Sequence, residues 1–308
     1  MMQYTFQYHS NGSCLLTGEY LVSKGSQAIV LPLKKGQTLV VKPIRQDLLI
    51  WESVYDEQTL FKAVFTTDRI DVIESTDGEK SLFVQRVLKK ALEFVPSISS
   101  LPGYSIQAIH NYSSHQDPGT QAGLIASIAE WFNINPYRLN REIMTDGSYG
   151  IVCAKSSKPI LYQAVEKYPD YEPIDMDWPF SENLYFVFTG YPTDHTYKRK
   201  KIEHIGDLPK KISRIREINS RIIQSRSLEA FEKALLEYEQ IFSEELNERR
   251  LQERKFEDFP GVIKPLKTEN SPFLLVTWKG SKQELEEYFA RHNLQTLYLW
   301  DELVMYQD

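Results

Sequence analysis

The sequence has only two cysteines in 308 residues, Cys14 and Cys153. Two thiols make at most one disulfide and cannot close a four-ligand zinc site alone, which argues against a secreted disulfide scaffold. Long apolar runs are also missing. No stretch approaches the ~18 apolar residues of a membrane-crossing helix. The first residues, Met1-Met2-Gln3-Tyr4-Thr5-Phe6, lack a basic region followed by an apolar run. No secretory leader is read there, and a reducing cytoplasm is the expected compartment. Glycine and proline are not in excess, at 14 and 15 residues, which excludes a collagen-like or low-complexity chain. Positive charge is not in excess: 36 Lys and Arg against 42 Asp and Glu leave a net charge of −6. A mildly acidic chain is not built as a general nucleic-acid or anionic-membrane binder. The six histidines (His9, His110, His115, His195, His204 and His292) show no metal-site spacing, so no metal site is expected from them.

Apolar material is ample. Hydrophobic residues make up 42% of the chain, with 18 Tyr and 15 Phe among them, enough for two packed cores. The length fits about two domains at ~150 residues each. Short β-branched and aromatic runs fill the first third: Ser13 to Thr17, Ala28 to Leu31, Thr38 to Lys42, Leu48 to Val54 and Leu60 to Phe65. Apolar residues at three- and four-residue steps predict a helix over Ser81 to Val95, which Pro96 ends. A strand at Tyr104 to Ile109 follows, then a helix burying Leu124, Ile125, Ile128, Ala129 and Phe132. A short helix from Pro136 to Met144 and a strand at Lys158 to Gln163 come next. The acidic, proline-bearing stretch Tyr168 to Pro173 breaks the pattern and suggests domains at 1–170 and 171–308. Beyond it lie a strand at Leu184 to Thr189 and a charged helical region from Leu208 to Glu253, broken near Ser225 to Ser227. A strand (Phe273 to Trp278), a helix (Lys282 to His292) and a strand (Gln295 to Trp300) close the chain. Mixed runs of strands and helices in both halves predict an α+β fold.

The stretch Gly12-Ser13-Cys14-Leu15-Leu16-Thr17-Gly18-Glu19-Tyr20-Leu21-Val22 resembles the first motif of the GHMP kinases, which include galactokinase, homoserine kinase, mevalonate kinase and phosphomevalonate kinase. Gln27 to Pro32 fits that family's second strand. The chain is most similar to a bacterial, mevalonate-kinase-like branch with a Gly-Tyr-Asp-Ile-Ala signature. Ile128 to Tyr137 looks like the helix after that branch's phosphate loop, Gly147 to Ala154 occupies the place of the signature, and Tyr288-Phe289 with Asp301-Glu302-Leu303 looks like its tail. The order of these stretches, more than any one of them, carries the resemblance. It implies the GHMP kinase fold: an N-terminal domain with a left-handed βαβ crossover and a C-terminal ferredoxin-like domain. Active members transfer the ATP γ-phosphate to a small-molecule hydroxyl or phosphate, with Mg²⁺ and a glycine- and serine-rich loop at a helix N-terminus.

Against that pattern the working residues are thin. Ser13 stands where the resemblance places a lysine, and a hydroxyl cannot steady a transferring phosphoryl group by charge. Lys24 and Lys34 are the alternative cations. Glu19 reads either as a pocket carboxylate or as a structural group that satisfies turn amides. At the phosphate loop, Asp117-Pro118-Gly119-Thr120-Gln121-Ala122 sets a carboxylate against a triphosphate and removes an N–H donor at Pro118. Gly119, Thr120 and Gln121 remain as a remnant anion site or an ordinary helix start. Gly150 follows Tyr149 where the signature places an acid, and glycine can neither accept a proton nor hold a cation. Asp146, four residues earlier, is the substitute acid or a turn residue. The last family motif is a glycine-rich loop, and Leu266 to Pro272 contains no glycine. Lys264 and Lys267 read as exposed loop lysines that meet solvent or an anion.

His110 and His115 flank the phosphate loop, as pocket or surface residues. The basic run Lys198-Arg199-Lys200-Lys201, with Lys210, Lys211, Arg214 and Arg216, reads as a solvated surface before a phosphate or nucleic-acid contact. Three functions remain open. The first is a pseudokinase or ligand-binding protein with eroded ATP and catalytic motifs, holding a small anionic or polar ligand in an interdomain cleft. The second is an active mevalonate- or phosphomevalonate-type kinase that uses ATP and Mg²⁺, with Glu19, Asp146, Lys24 and Lys264 as relocated catalytic groups. The third is an interaction subunit without a small-molecule site. No membrane or nucleic-acid partner is expected, and the sequence names no protein partner.

Overall fold

The computed structural model describes residues 5–97, 100–113, 120–144, 148–165, 168–190, 206–266, 273–294 and 296–306. The chain divides into two compact units, Met1–Gly12 with Lys35–Lys155 and Ser13–Lys34 with Ser156–Asp308. A single cut near residue 170 is what the sequence suggests; the units instead interleave along the chain. The reason lies in the apolar residues of the segment Ser13–Lys34. Cys14, Leu16, Leu21, Ile29, Leu31 and Leu33 belong to one core with Phe186, Ile215, Phe231 and Trp300 from the late part of the sequence.

In the first unit, strand β1 (Phe6–Leu15) begins and strand β2 (Gln27–Pro43) ends. β2 pairs antiparallel with β6 (Tyr104–His110), from Gln37 opposite His110 to Pro43 opposite Tyr104. β6 runs parallel to β3 (Leu48–Tyr55), which forms a hairpin with β4 (Gln58–Thr66). Asp56 and Glu57 make the two-residue turn of that hairpin, both at positive φ, whose twist suits the flanking strands. β5 (Val72–Ser75) lies on the outer side of β4. Helix α1 (Gly78–Glu93) starts three residues before the sequence expectation, because the Asp77 side chain accepts from the Lys80 amide at 3.1 Å and caps it. Val84, Val87, Leu88 and Ala91 of α1 are buried with Trp51, Phe61 and Phe65 of the sheet. Helix α2 (Thr120–Trp131) is buried nearly all round, so it reads as apolar rather than amphipathic. Helix α3 (Pro136–Ile143) is capped by Asn135 and has its proline in the first turn, as expected. Ser148–Cys153 forms a short helix, α4, which no local pattern in the sequence marks.

In the second unit, the first residues of β2 pair with β7 (Ile160–Gln163), and β7 with β8 (Asp170–Pro173). The acidic, proline-bearing stretch Tyr168 to Pro173 therefore ends in a strand. Its four exposed residues, Pro173 among them, and the preceding Pro169 conceal it in the sequence. A four-stranded antiparallel sheet has the order β10-β11-β9-β12, with β9 (Leu184–Phe188), β10 (Ile263–Leu266), β11 (Phe273–Thr277) and β12 (Thr296–Leu299). Both faces of this sheet are covered. Leu184, Phe186, Phe273 and Leu275 face one core, and Tyr185, Val187, Leu274 and Val276 the other, with the period of two that a strand imposes. That double burial explains why β9 and β11 read as unbroken apolar runs. The charged helical region resolves into α5 (Leu208–Ile223), α6 (Leu228–Leu246) and α7 (Leu251–Lys255), with the break where Ser225 to Ser227 predicts it. Ser227 caps α6 by accepting from the Ala230 amide. α8 (Lys282–Ala290) and α9 (Trp300–Leu303) complete the unit. Among the described residues no helix is long and apolar enough to cross a membrane.

Candidate functional site

Glu19 lies just after β1, in the second unit. The chain turns there at Gly18, which has φ of +92°. A Cβ at Gly18 would lie 2.4 Å from the Ala28 Cβ, so the turn needs glycine for both conformation and space. The Glu19 side chain is 2% exposed and both of its oxygens are taken. Oε1 accepts from the Lys264 ammonium at 2.8 Å, and Oε2 accepts from the Tyr238 hydroxyl at 2.7 Å. The Tyr238 hydroxyl in turn accepts from the Gly18 amide at 2.6 Å. Lys264 also meets Glu239 Oε1 at 3.0 Å.

Lys264 corrects the sequence reading. It is not an exposed loop lysine but a fully buried residue on β10. Burial alone would lower its pKa; Glu19 and Glu239 outweigh that and hold the ammonium above its ordinary value. Tyr238 is pushed well above the usual phenol range, first by burial and then by Glu19. Burial also raises the Cys14 thiol, and the Lys264 charge opposes that rise. Cys14 is thus an inert core thiol rather than a nucleophile. Beside this set, the Thr17 hydroxyl donates to Asn219 Oδ1 at 2.8 Å and accepts from the Ile29 amide at 3.0 Å. Ser13 is 1% exposed, and its hydroxyl has no hydrogen-bond partner among the described residues. Lys34 is exposed and donates to the Asp301 carbonyl; Lys24 is half-buried on a single helical turn.

Thr120, Gln121 and Gly150 lie in the first unit. Thr120 is the first residue of α2 and is buried. Its hydroxyl lies 2.7 Å from the Tyr112 hydroxyl, which lies 2.7 Å from His110 Nδ1. Its carbonyl accepts from the Gln37 side-chain amide at 2.8 Å. Gln121 is half-buried, and Gly150 is buried within α4. Helices α2 and α4 pack against each other. Gly119, Asp117, Pro118, His115, Asp146, Lys267 and the basic run at 198–201 lie outside the described residues. Of the other basic residues named from the sequence, Lys211 pairs with Glu245, and Arg214 with Glu217 and Glu237, as parts of a charged helix surface.

The structure thus joins Glu19 to Lys264, and adds Tyr238 and Glu239, which sequence reading passed over. Tyr238 occupies an apolar position of α6, in step with Phe231, Ala234, Leu235 and Phe242, so it reads as core. A weak signal existed for Lys264: it is a lone lysine inside the apolar run Val262-Ile263-Lys264-Pro265-Leu266. Glu19 does not fit a magnesium ligand in this arrangement, since its side chain is buried and a divalent cation would have to enter beside the Lys264 ammonium. Among the described residues no group of three acidic, histidine or cysteine side chains is placed to hold a metal ion.

No protein-family model and no curated protein sequence matches the chain. Solved structures do. The mevalonate kinase of Methanococcus jannaschii aligns over 99% of this chain and 99% of its own, at 12% identity and a TM-score of 0.69. The galactokinase of Lactococcus lactis, complexed with galactose, aligns over 98% and 93%, at 11% identity and 0.69. The phosphomevalonate kinase of Streptococcus pneumoniae, complexed with phosphomevalonate and AMPPNP, aligns over 96% and 99%, at 11% identity and 0.66. The chain has the GHMP kinase fold, as the order of its motifs suggests.

Proposed function

We propose that this chain is a GHMP-kinase-fold protein that has lost phosphoryl-transfer chemistry and retains a binding role for a small anionic or polar ligand. The observation that carries the reading is the state of Glu19. The one acidic residue of the first motif is buried, with one oxygen on Lys264 and the other on Tyr238, so it is turned into the core and away from any substrate or metal in solvent. Two further observations support it. Ser13 is a buried hydroxyl where the resemblance places a cation, and Gly150 is a buried glycine where it places an acid. Phosphoryl transfer depends on positioned charge more than on covalent help, so losing these groups together removes most of the rate.

The competing reading is a working kinase of mevalonate or phosphomevalonate type. It is favoured by the near full-length likeness to enzymes of those names. Calorimetry with AMPPNP, with and without Mg²⁺, and a turnover assay on mevalonate and phosphomevalonate decide between them. We expect no Mg²⁺-dependent nucleotide affinity and no turnover. Turnover above the uncatalysed rate that Glu19→Gln abolishes would establish the kinase instead.

A further inference from the structure

Glu19 and Lys264 are the two charged residues in the buried set of the described residues. The surroundings of the ammonium are closed. An ammonium has three N–H donors, and three acceptors stand around this one: Glu19 Oε1 at 2.8 Å, Glu239 Oε1 at 3.0 Å and the Pro265 carbonyl at 3.3 Å. The Tyr238 ring lies beneath it, 4.8 Å from its centre. The Lys264 ammonium faces two carboxylates here, and a second cation at Glu19 would have to enter a buried site beside that ammonium.

We propose that Lys264 is a tethered counter-ion that locks Glu19. Its ammonium occupies the cation position that the two carboxylates create, and so closes Glu19 to any exchangeable cation or substrate hydroxyl. Lys264 is then a positioning residue for the Gly18–Glu19 turn: it keeps the Glu19 carboxylate turned inward, while Tyr238 holds the other oxygen and the Gly18 amide. A merely space-filling lysine would not need its charge, and a metal site would not carry its own ammonium. The inference rests on the reading of Glu19 given above. The two fail separately, because nucleotide binding and turnover test that reading, whereas rescue of a truncated Lys264 tests this one.

The experiment is chemical rescue. Lys264→Ala removes Cγ, Cδ, Cε and Nζ, which propylammonium replaces. Melting of the full chain is followed against propylammonium chloride, with sodium chloride as the ionic control. The lock predicts a lowered Tm for Lys264→Ala, a saturable rise with propylammonium beyond the sodium chloride effect, and a much smaller rise in Glu19→Gln/Lys264→Ala. Equal responses of the two variants, or no response beyond sodium chloride, would overturn it. A second comparison stands if Lys264→Ala does not fold. Glu19→Gln/Lys264→Met must be more stable than Lys264→Met, since the double variant no longer buries an unpaired Glu19 carboxylate; a double variant no more stable than the single one overturns the proposal. Manganese titration of the wild type must show no competition that depends on Glu19, and a Glu19-dependent manganese site would overturn it equally.

Discussion

The polar residues behind the Gly18–Glu19 turn and those at the start of α2 are both buried, yet they are of different kinds. Around Glu19 the groups are of charged types: a carboxylate, an ammonium and a second carboxylate within 3.0 Å of it. At the start of α2 they are mostly of uncharged types: the Gln37 amide and the Tyr112 and Thr120 hydroxyls, with a His110 ring nitrogen 2.7 Å from the Tyr112 hydroxyl. Charge taken out of water is tolerated only when every partner is present, because each ion has lost several kcal/mol of hydration. A neutral hydrogen-bond set degrades gradually, about 1 to 3 kcal/mol for each group left unsatisfied. The first region is thus committed to one arrangement by electrostatics. The second can exchange partners, including for a ligand, at much lower cost.

That contrast is broken most severely at Lys264. Lys264→Met leaves two carboxylates without their cation, and the expected loss is about 3 to 5 kcal/mol of unfolding free energy, read from urea titration. The variant should also differ in its alkaline limb. The folded state holds the Lys264 ammonium above its ordinary value, so the pairing contributes fully below about pH 10.4 and is lost as pH rises through the folded value. Tyr238, also raised, acts with the same sign. Wild-type stability should therefore fall more steeply than that of Lys264→Met above that pH. Equal slopes would mean that the ammonium is not what the cluster depends on.

Gly18→Ala attacks the same region through the backbone. The new methyl meets Ala28 at 2.4 Å and the residue is held at φ of +92°, so a loss of about 1 to 3 kcal/mol is expected. Removing charge costs more than adding strain if electrostatics dominate there; the reverse order would shift the explanation to packing. The smallest effect belongs to the neutral set. Tyr112→Phe removes the hydroxyl between His110 and Thr120 and should cost roughly 1 kcal/mol, with a melting curve otherwise like the wild type. A loss as large as that of Lys264→Met would erase the distinction between the two regions.

Much of the architecture was legible from local pattern. The strand at Tyr104, the helix at Pro136, and the helix break at Ser225 to Ser227 each follow from period, proline and capping residues within a few positions. β8 was not, because its four residues are exposed and show no alternation. α4 was not, because six residues are too few for a helical period to show. At the candidate site the sequence marked Ser13, Glu19 and Gly150 as departures from or survivors of a motif, and it left the role of Glu19 open.

What the amino-acid sequence determined by itself is the type and order of the elements and the family of folds they build, since side-chain period and turn chemistry act over a few neighbouring residues. What only the tertiary structure decided is the role of each buried charge. Glu19 and Lys264 lie 245 residues apart, and their pairing at 2.8 Å exists only because β10 and the turn after β1 fold into one unit. A lysine in a short apolar run carries the same letters whether its ammonium ends in water or on a carboxylate. Desolvation distinguishes the two, and desolvation depends on everything packed around the charge.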